Sequence, residues 1–238
     1  MLDRLNLWAS RRKSRERFVN MDVERIYDER FPEEDRATKD DVWRVLCTHF
    51  FQRYVASDAT VLDLGAGFCE FLRHIECGRR IAVDVNPKLS AFVPRGTEIV
   101  TALSHDLRQW ISDSSVDVVF ASNFFEHLPD KTTFMATLGE VKRILRQGGK
   151  LLALQPNIRI LGGAYWDFLD HHVPLSDRSL AEAVTMTGLK VIELVPRFLP
   201  YTTKSRIPQH PWLVRLYLSF PPLWRVMGGQ AWLVAVKP

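Results

Sequence analysis

The sequence predicts an α/β fold built on an open, doubly wound sheet with helices on both faces, and three stretches predict it. Thr60-Val61-Leu62-Asp63-Leu64 reads as a buried strand that runs into Gly65-Ala66-Gly67, where two glycines let the backbone turn tightly against a ligand. Arg80-Ile81-Ala82-Val83-Asp84-Val85 reads as the next strand and brings a carboxylate 21 residues after Asp63, the spacing at which an acidic side chain reaches ribose hydroxyls. Val116 to Ala121 is an apolar strand that gives way to Ser122-Asn123-Phe124-Phe125-Glu126-His127-Leu128. Polar and aromatic residues at that point suit the carboxyl edge of a parallel sheet, where ligands bind in such folds.

The elements follow in order along the chain. Residues 1–20 hold six Lys or Arg against Asp3 and Glu16. The run Arg11 to Arg17 is most simply a solvated arm, with contact to anionic lipid or nucleic acid as the other reading. Residues 22–56 carry a helical pattern interrupted at Phe31-Pro32, and Asp40 or Asp41 is placed to cap a helix over Val42 to Val55. Trp43, Leu46, Phe50 and Tyr54 recur at helical spacing and read as core packing against the sheet.

Downstream, Lys131 to Arg146 reads as a helix ended by Gln147-Gly148-Gly149, and Lys150 to Leu154 as the fifth strand. Ser176 to Thr187 is a further helix with Ser176 as its cap, Val191 to Val195 a strand and Ala231 to Val236 the last. Between these two strands lies Trp212 to Met227, apolar but broken by Arg215, Arg225 and Pro221-Pro222, hence no membrane span. Two readings stay open for it: a lid or self-association surface, and peripheral contact with a membrane surface. Lys204 and Arg206 face either an anionic acceptor or plain solvent.

With 238 residues and 46% hydrophobic content the chain can bury one sizeable core. A cytoplasmic protein is expected, because no secretory apolar stretch opens the sequence. Cys47, Cys69 and Cys77 have no C-x-x-C spacing, which speaks against a disulfide framework and a zinc site. No basic stripe runs through the region expected to fold, so no nucleic-acid partner is expected. The oligomeric state is left open by the sequence.

The glycine loop decides between two cofactors. A dinucleotide fingerprint wants Gly or Ala at its third position, and Gly65-Ala66-Gly67-Phe68-Cys69-Glu70 puts Glu70 there. A carboxylate repels a diphosphate and suits a ligand carrying a sulfonium and an ammonium, which favours S-adenosylmethionine over NAD. The stretch resembles motif I of the class I S-adenosylmethionine-dependent methyltransferases, in particular their type 11 group, with Cys69 where a third glycine often lies.

That resemblance covers roughly residues 58–157 and implies a Rossmann-like, seven-stranded, doubly wound sheet whose last strand is antiparallel. It implies that Asp63, Gly65, Ala66 and Gly67 surround the methionine moiety, Asp84 with Val85 the ribose, and Asp106 with Leu107 the adenine. Asn123 completes the expected cofactor set. Asp63, Asp84 and Asp106 recur at intervals of 21 and 22 residues. The expected organisation is a basic arm over 1–20 and one methyltransferase domain over 21–238. Within that domain 21–57 form a helical extension, 58–157 the cofactor core and 158–238 the acceptor side. Tyr27 and Arg30 are candidates to close over the cofactor carboxylate.

Methyl transfer needs positioning and at most one base, and His127, His171 and His172 are the candidate catalytic residues. His105 is assigned to cofactor recognition instead. Phe124, Tyr165 and Trp166 are expected to converge with His127 and one of the paired histidines on the acceptor side. Asp167 and Asp170 with these histidines offer metal-ligand chemistry but no sharply spaced ligand motif, so no metal is expected. The expected activity is methylation of a small molecule or a glycan, lipid-linked acceptors included, with oxygen the favoured atom. A catalytically silent binding module and an NAD-linked oxidoreductase are the alternatives.

Overall fold

The computed structural model describes residues 33–201 and 210–238. The basic arm, Tyr27, Arg30, Lys204 and Arg206 lie outside those residues. Seven strands form one sheet in the order β3-β2-β1-β4-β5-β7-β6. They are β1 Thr60–Leu64, β2 Arg79–Asp84, β3 Thr97–Thr101, β4 Val116–Ser122, β5 Leu145–Pro156, β6 Lys190–Val195 and β7 Gln230–Val236. The first five pair in parallel, and β7 inserts antiparallel between β5 and β6. This is the doubly wound, seven-stranded sheet expected, with its chain reversal between β1 and β4.

Alternation along the strands splits the core into two layers. Leu62, Leu64, Val119, Ala121, Leu151 and Ala153 face α3 (Lys131–Ile144) and α5 (Asp177–Met186). Val61, Val118, Phe120, Leu152, Leu154 and Trp232 face the opposite layer. There α1 (Glu33–His49) packs beside α2 (Glu70–His74) and α6 (Pro211–Ser219). The expected stripe does its packing here: Phe50 stacks on Phe198 with centroids 4.2 Å apart, and Trp43 meets Phe120 edge-on at 6.0 Å.

Two sequence expectations need correction. Asp40 and Asp41 lie inside α1 rather than at its cap, because the helical run extends back to Glu33. Asp40 instead pairs with Arg73 and His74 of α2, and Asp41 with Arg44 one turn on. The helix expected to reach Arg146 stops at Ile144, because Leu145 already pairs with Val116 at the start of β5. Gly148, at φ +75°, donates its N–H to the Lys237 carbonyl and carries the chain into the sheet. The remaining helix starts follow their caps: Asp130 accepts from Thr133 N–H at 2.7 Å, and Ser176 with Ser179 forms a reciprocal box.

The layer beneath α1 turns on Phe120, whose ring stacks on Phe71 at 3.7 Å and meets Phe51 at 5.3 Å. Phe120→Ala removes both contacts and leaves a cavity with little room to collapse. It should cost about 3–5 kcal/mol in unfolding free energy, read by urea denaturation.

Candidate functional site

Strand parity sets the first half of the site. Asp63 pairs in register with Ala82, and Asp84 stands two residues beyond it, so both carboxylates project from the same face of neighbouring strands. The loop between them is already built. The N–H groups of Gly65 and Ala66 both donate to the Val83 carbonyl, at 2.9 and 3.1 Å. Gly67 N–H donates to Asp84 Oδ2 at 2.8 Å, and Asn86 N–H to Asp84 Oδ1 at 2.9 Å. Asp84 therefore ties the glycine loop to the end of β2.

Gly65 has two reasons to be glycine. Its φ is +74°, and a Cβ there would stand 2.3 Å from Phe124 Cδ2. The ring that follows β4 thus lies directly on the loop that follows β1. Asn123, just before that ring, is held at φ +48° and donates its N–H to Leu154, a left-handed conformation that Asn tolerates better than most residues.

Burial pushes the Asp63 carboxyl well above the usual range, and the nearby Glu70 and Asp84 charges push it further. Burial raises Asp84 as well, against the pull of the backbone N–H groups of Gly67, Asn86 and Val85. Glu70 needs a correction: it forms an ion pair with Lys39 at 2.8 Å, so much of its charge is spent inside the protein. Asp63 and Asp84 hold the negative potential that the sequence reading gave to Glu70. Such a site favours a cation and disfavours a diphosphate, which fits the sulfonium and ammonium of S-adenosylmethionine.

The other expected cofactor residues divide. Ala66 and Val85 flank the loop, and Asp106 and His105 are exposed beyond β3. Leu107 is wholly buried, with its N–H given to Glu140 Oε2 at 3.1 Å. Its side chain belongs to the core layer that also holds Ile111 and Leu138.

The half of the site expected to take the acceptor is held together by main chain. His172 and Val173 both donate their N–H groups to the Glu126 carbonyl, at 2.8 and 3.1 Å. This draws the loop after β5 against the turn after β4. His127 Nδ1 lies 3.1 Å from Asp170 Oδ2 and also 3.1 Å from the Asp170 carbonyl. Its Nε2 lies 3.8 Å from Glu126 Oε1. Glu126 is buried and accepts from Gln155 Nε2 at 2.9 Å.

Burial alone would lower the His127 pKa. The Glu126 charge and the Asp170 hydrogen bonds outweigh it and raise the imidazolium above its usual 6.5. Burial raises the Glu126 carboxyl in turn.

Of the paired histidines, His171 lies beside His127. It is buried, its ring lies 5.0 Å from that of His127, and its Nδ1 is 2.8 Å from the Tyr165 carbonyl. His172 is exposed, and its N–H anchors the loop. Tyr165 is fully buried with its hydroxyl donating to Val173 at 2.6 Å, while Trp166 is exposed beside it. Sequence reasoning missed Asp170 as the partner of His127, since 43 residues separate them. It also missed Gln155, although a glutamine at the end of an apolar strand was a visible signal.

Residues 62–153 match a family model described as a methyltransferase domain. Over this stretch the chain carries a methyltransferase domain, in keeping with the resemblance of its glycine loop to the class I S-adenosylmethionine-dependent methyltransferases. No curated protein matches the chain in sequence. Among solved structures, a chain from the complex between the Haloferax volcanii Trm112 methyltransferase activator and the putative methyltransferase superposes with a TM-score of 0.63. The two are 22% identical, over 87% of this chain and 95% of that one. A SAM-dependent methyltransferase from Archaeoglobus fulgidus gives 0.63 at 18% identity, over 83% and 94%. A possible histamine N-methyltransferase from Thermotoga maritima gives 0.60 at 17%, over 94% and 97%. The protein is an enzyme of this methyltransferase class, with S-adenosylmethionine as its cofactor.

A carboxyl with a raised folded pKa keeps its proton to higher pH than in the unfolded chain. Its cost to stability is therefore full above the folded value and relieved as pH falls through it. Asp63→Asn should stabilise the cofactor-free protein by on the order of 1 kcal/mol above that value, a gain that shrinks on acidification. The same change should weaken S-adenosylmethionine binding by roughly 30-fold. Thermal melts across pH and titration calorimetry check the two effects.

Proposed function

We propose that this enzyme methylates a hydroxyl of a small-molecule or glycan acceptor seated between the turn after β4 and the loop after β5. In this reading Asp63, Gly65 and Gly67 enclose the methionine end of the cofactor, Asp84 takes the ribose hydroxyls, and Asp106 and Asn123 border the adenine side. The cofactor, when bound, supplies an electrophilic methyl group on a sulfonium. The chain's own residues orient the acceptor and take its proton.

The observation that carries the reading is the arrangement Asp170, His127, Glu126. Asp170 accepts from His127 Nδ1 at 3.1 Å, which leaves Nε2 as the basic atom and fixes the ring plane. The imidazolium formed on taking a proton is stabilised by Asp170 on one side and Glu126 on the other. Phe124, lying over Gly65, shields the junction of the two half-sites from water. A reducing cytoplasmic setting suits the three free cysteines, Cys47, Cys69 and Cys77.

A base must be neutral to act, so turnover should rise with pH through a value above the ordinary imidazole range. His127→Ala should lower kcat by roughly 100-fold while cofactor affinity holds. Asp170→Asn should move the rising limb to lower pH, because one of the interactions holding the proton is gone. Steady-state rates across pH, with wild-type turnover flat through that window as the opposing outcome, test the assignment.

A second reading rests on one further distance. Glu126, His127 and His171 offer ligand atoms that lie within 4.8 Å of one another, and two imidazoles with a carboxylate suit a divalent transition metal. A metal there would polarise the same hydroxyl that His127 would otherwise deprotonate. Full turnover after exhaustive chelation supports the histidine base; loss of turnover restored by added Zn²⁺ or Mn²⁺ supports the metal.

A further inference from the structure

All 28 acidic residues of the chain lie before residue 194. The remaining stretch holds Arg197, Lys204, Arg206, Arg215, Arg225 and Lys237 and no Asp or Glu. A chain with one quarter charged residues does not place its acids so unevenly without consequence for the surface there. Among the described residues of this stretch, most exposed side chains lie on α6 and on α7 (Pro221–Met227).

Helix α6 turns Tyr217 and Leu218 inward, where the Tyr217 hydroxyl donates to the Phe198 carbonyl. Its outward positions are Trp212, Arg215, Leu216 and Ser219, spaced i, i+3, i+4 and i+7 on one face. Phe220 at the joint and Arg225 and Val226 on α7 are exposed as well. Trp212 is 58% exposed, Leu216 54%, Phe220 53% and Val226 77%. An indole and aliphatic groups interleaved with arginine, unaccompanied by acid, have the composition of a headgroup-level contact. Among the described residues no helix is long and apolar enough to cross a membrane.

The position of this surface gives it a use. α7 leads directly into β7, whose Gln230 pairs with Pro156 at the carboxyl end of β5. A Cβ on Gly229, at that junction, would stand 2.8 Å from Leu161 and 2.9 Å from Tyr201. Leu161 opens the loop that carries Trp166, Leu169 and Asp170, and Phe168 of that loop meets Tyr201 at 5.6 Å. Trp166 and Leu169 are themselves 51% and 90% exposed. The basic, apolar surface and the acceptor loop thus share one edge of the sheet.

We propose that the α6–α7 surface docks on an anionic lipid bilayer and brings the acceptor loop to the membrane, where a lipid-linked acceptor is presented. The docking rests on this surface alone; the identity of the acceptor as lipid-linked rests on the methyltransferase reading above.

The test uses the full chain with two vesicle preparations, phosphatidylcholine alone and phosphatidylcholine with phosphatidylglycerol. The wild type should sediment with the anionic vesicles and stay in solution with the neutral ones. Arg215→Glu with Arg225→Glu should weaken that binding by about 25-fold, at roughly fivefold per basic residue before the added repulsion. Trp212→Ser with Leu216→Ser should weaken it while leaving its salt dependence in place.

All four positions are exposed, so thermal melts and S-adenosylmethionine affinity should match the wild type, and this control separates docking from cofactor binding. Absence of vesicle binding with intact cofactor affinity overturns the docking and leaves the methyltransferase reading standing. Unchanged vesicle binding in both variants also overturns it and assigns membrane contact to the basic arm. A fall in oligomer mass of the variants by light scattering, with vesicle binding kept, makes the surface a contact between copies of the chain.

Discussion

Two carboxylates that the sheet forces onto one face govern much of this molecule. Asp63 and Asp84 sit on adjacent parallel strands at registers that alternation cannot separate. Neither can retreat to solvent, and each is costly to keep charged where it is. The protein offsets part of that cost with main chain, aiming the N–H groups of Gly67 and Asn86 at Asp84. The tight turn at Gly65 follows, because only a loop folded back on Val83 presents Gly67 N–H to that oxygen. Lys39 reaches across from α1 to pair with Glu70, which spares Asp63 one of its two nearby like charges from acting at full strength. What is left is a site whose net sign selects a cationic ligand.

The acceptor half depends on the same economy of backbone. A single carbonyl, that of Glu126, receives two N–H groups from residues 172 and 173, and those bonds fix where the loop after β5 can go. Once it is fixed, Asp170 falls beside His127 and His171 beside both. The Glu126 side chain is drawn inward by Gln155, from the neighbouring strand, so one residue anchors the loop through its carbonyl and sets the local charge through its carboxylate. Changing Glu126 would disturb geometry and electrostatics together, which makes Asp170 and His127 the cleaner places to separate them.

Much of the cofactor half was legible in the sequence because its determinants are local. A strand, two glycines and an acidic strand end are read within about 25 residues, and their period dictates which face they share. Strand order and the antiparallel β7 followed from the resemblance, not from any spacing. What failed to read were features set by distant partners. Glu70 looked like an open charge because Lys39 lies 31 residues away on another helix. The burial of Leu107 did not read either, because it is decided by the helix that the turn meets, here through Glu140. The pairing of His127 with Asp170 had no local signature at all. A turn's side-chain directions are not periodic, so the sequence did not show that Tyr165 would be buried with its hydroxyl on Val173 while His172 stays exposed.

The segregation of charge along the chain links the two halves to the surface. The acids that build the cofactor site and the helix pairs of the first 193 residues leave the C-terminal stretch without any. The sheet then folds that stretch back, since β7 must run antiparallel and therefore start at the carboxyl edge. Any segment feeding β7 must arrive at the same edge as the glycine loop and the acceptor loop. Its exposed character is thereby forced to face whatever delivers the acceptor. A polar segment there would suit a freely diffusing substrate, whereas Trp212, Arg215, Leu216, Phe220 and Arg225 supply apolar anchors and positive charge on one surface. Topology fixes where that surface lies, and its composition selects for a partner that is both anionic and apolar.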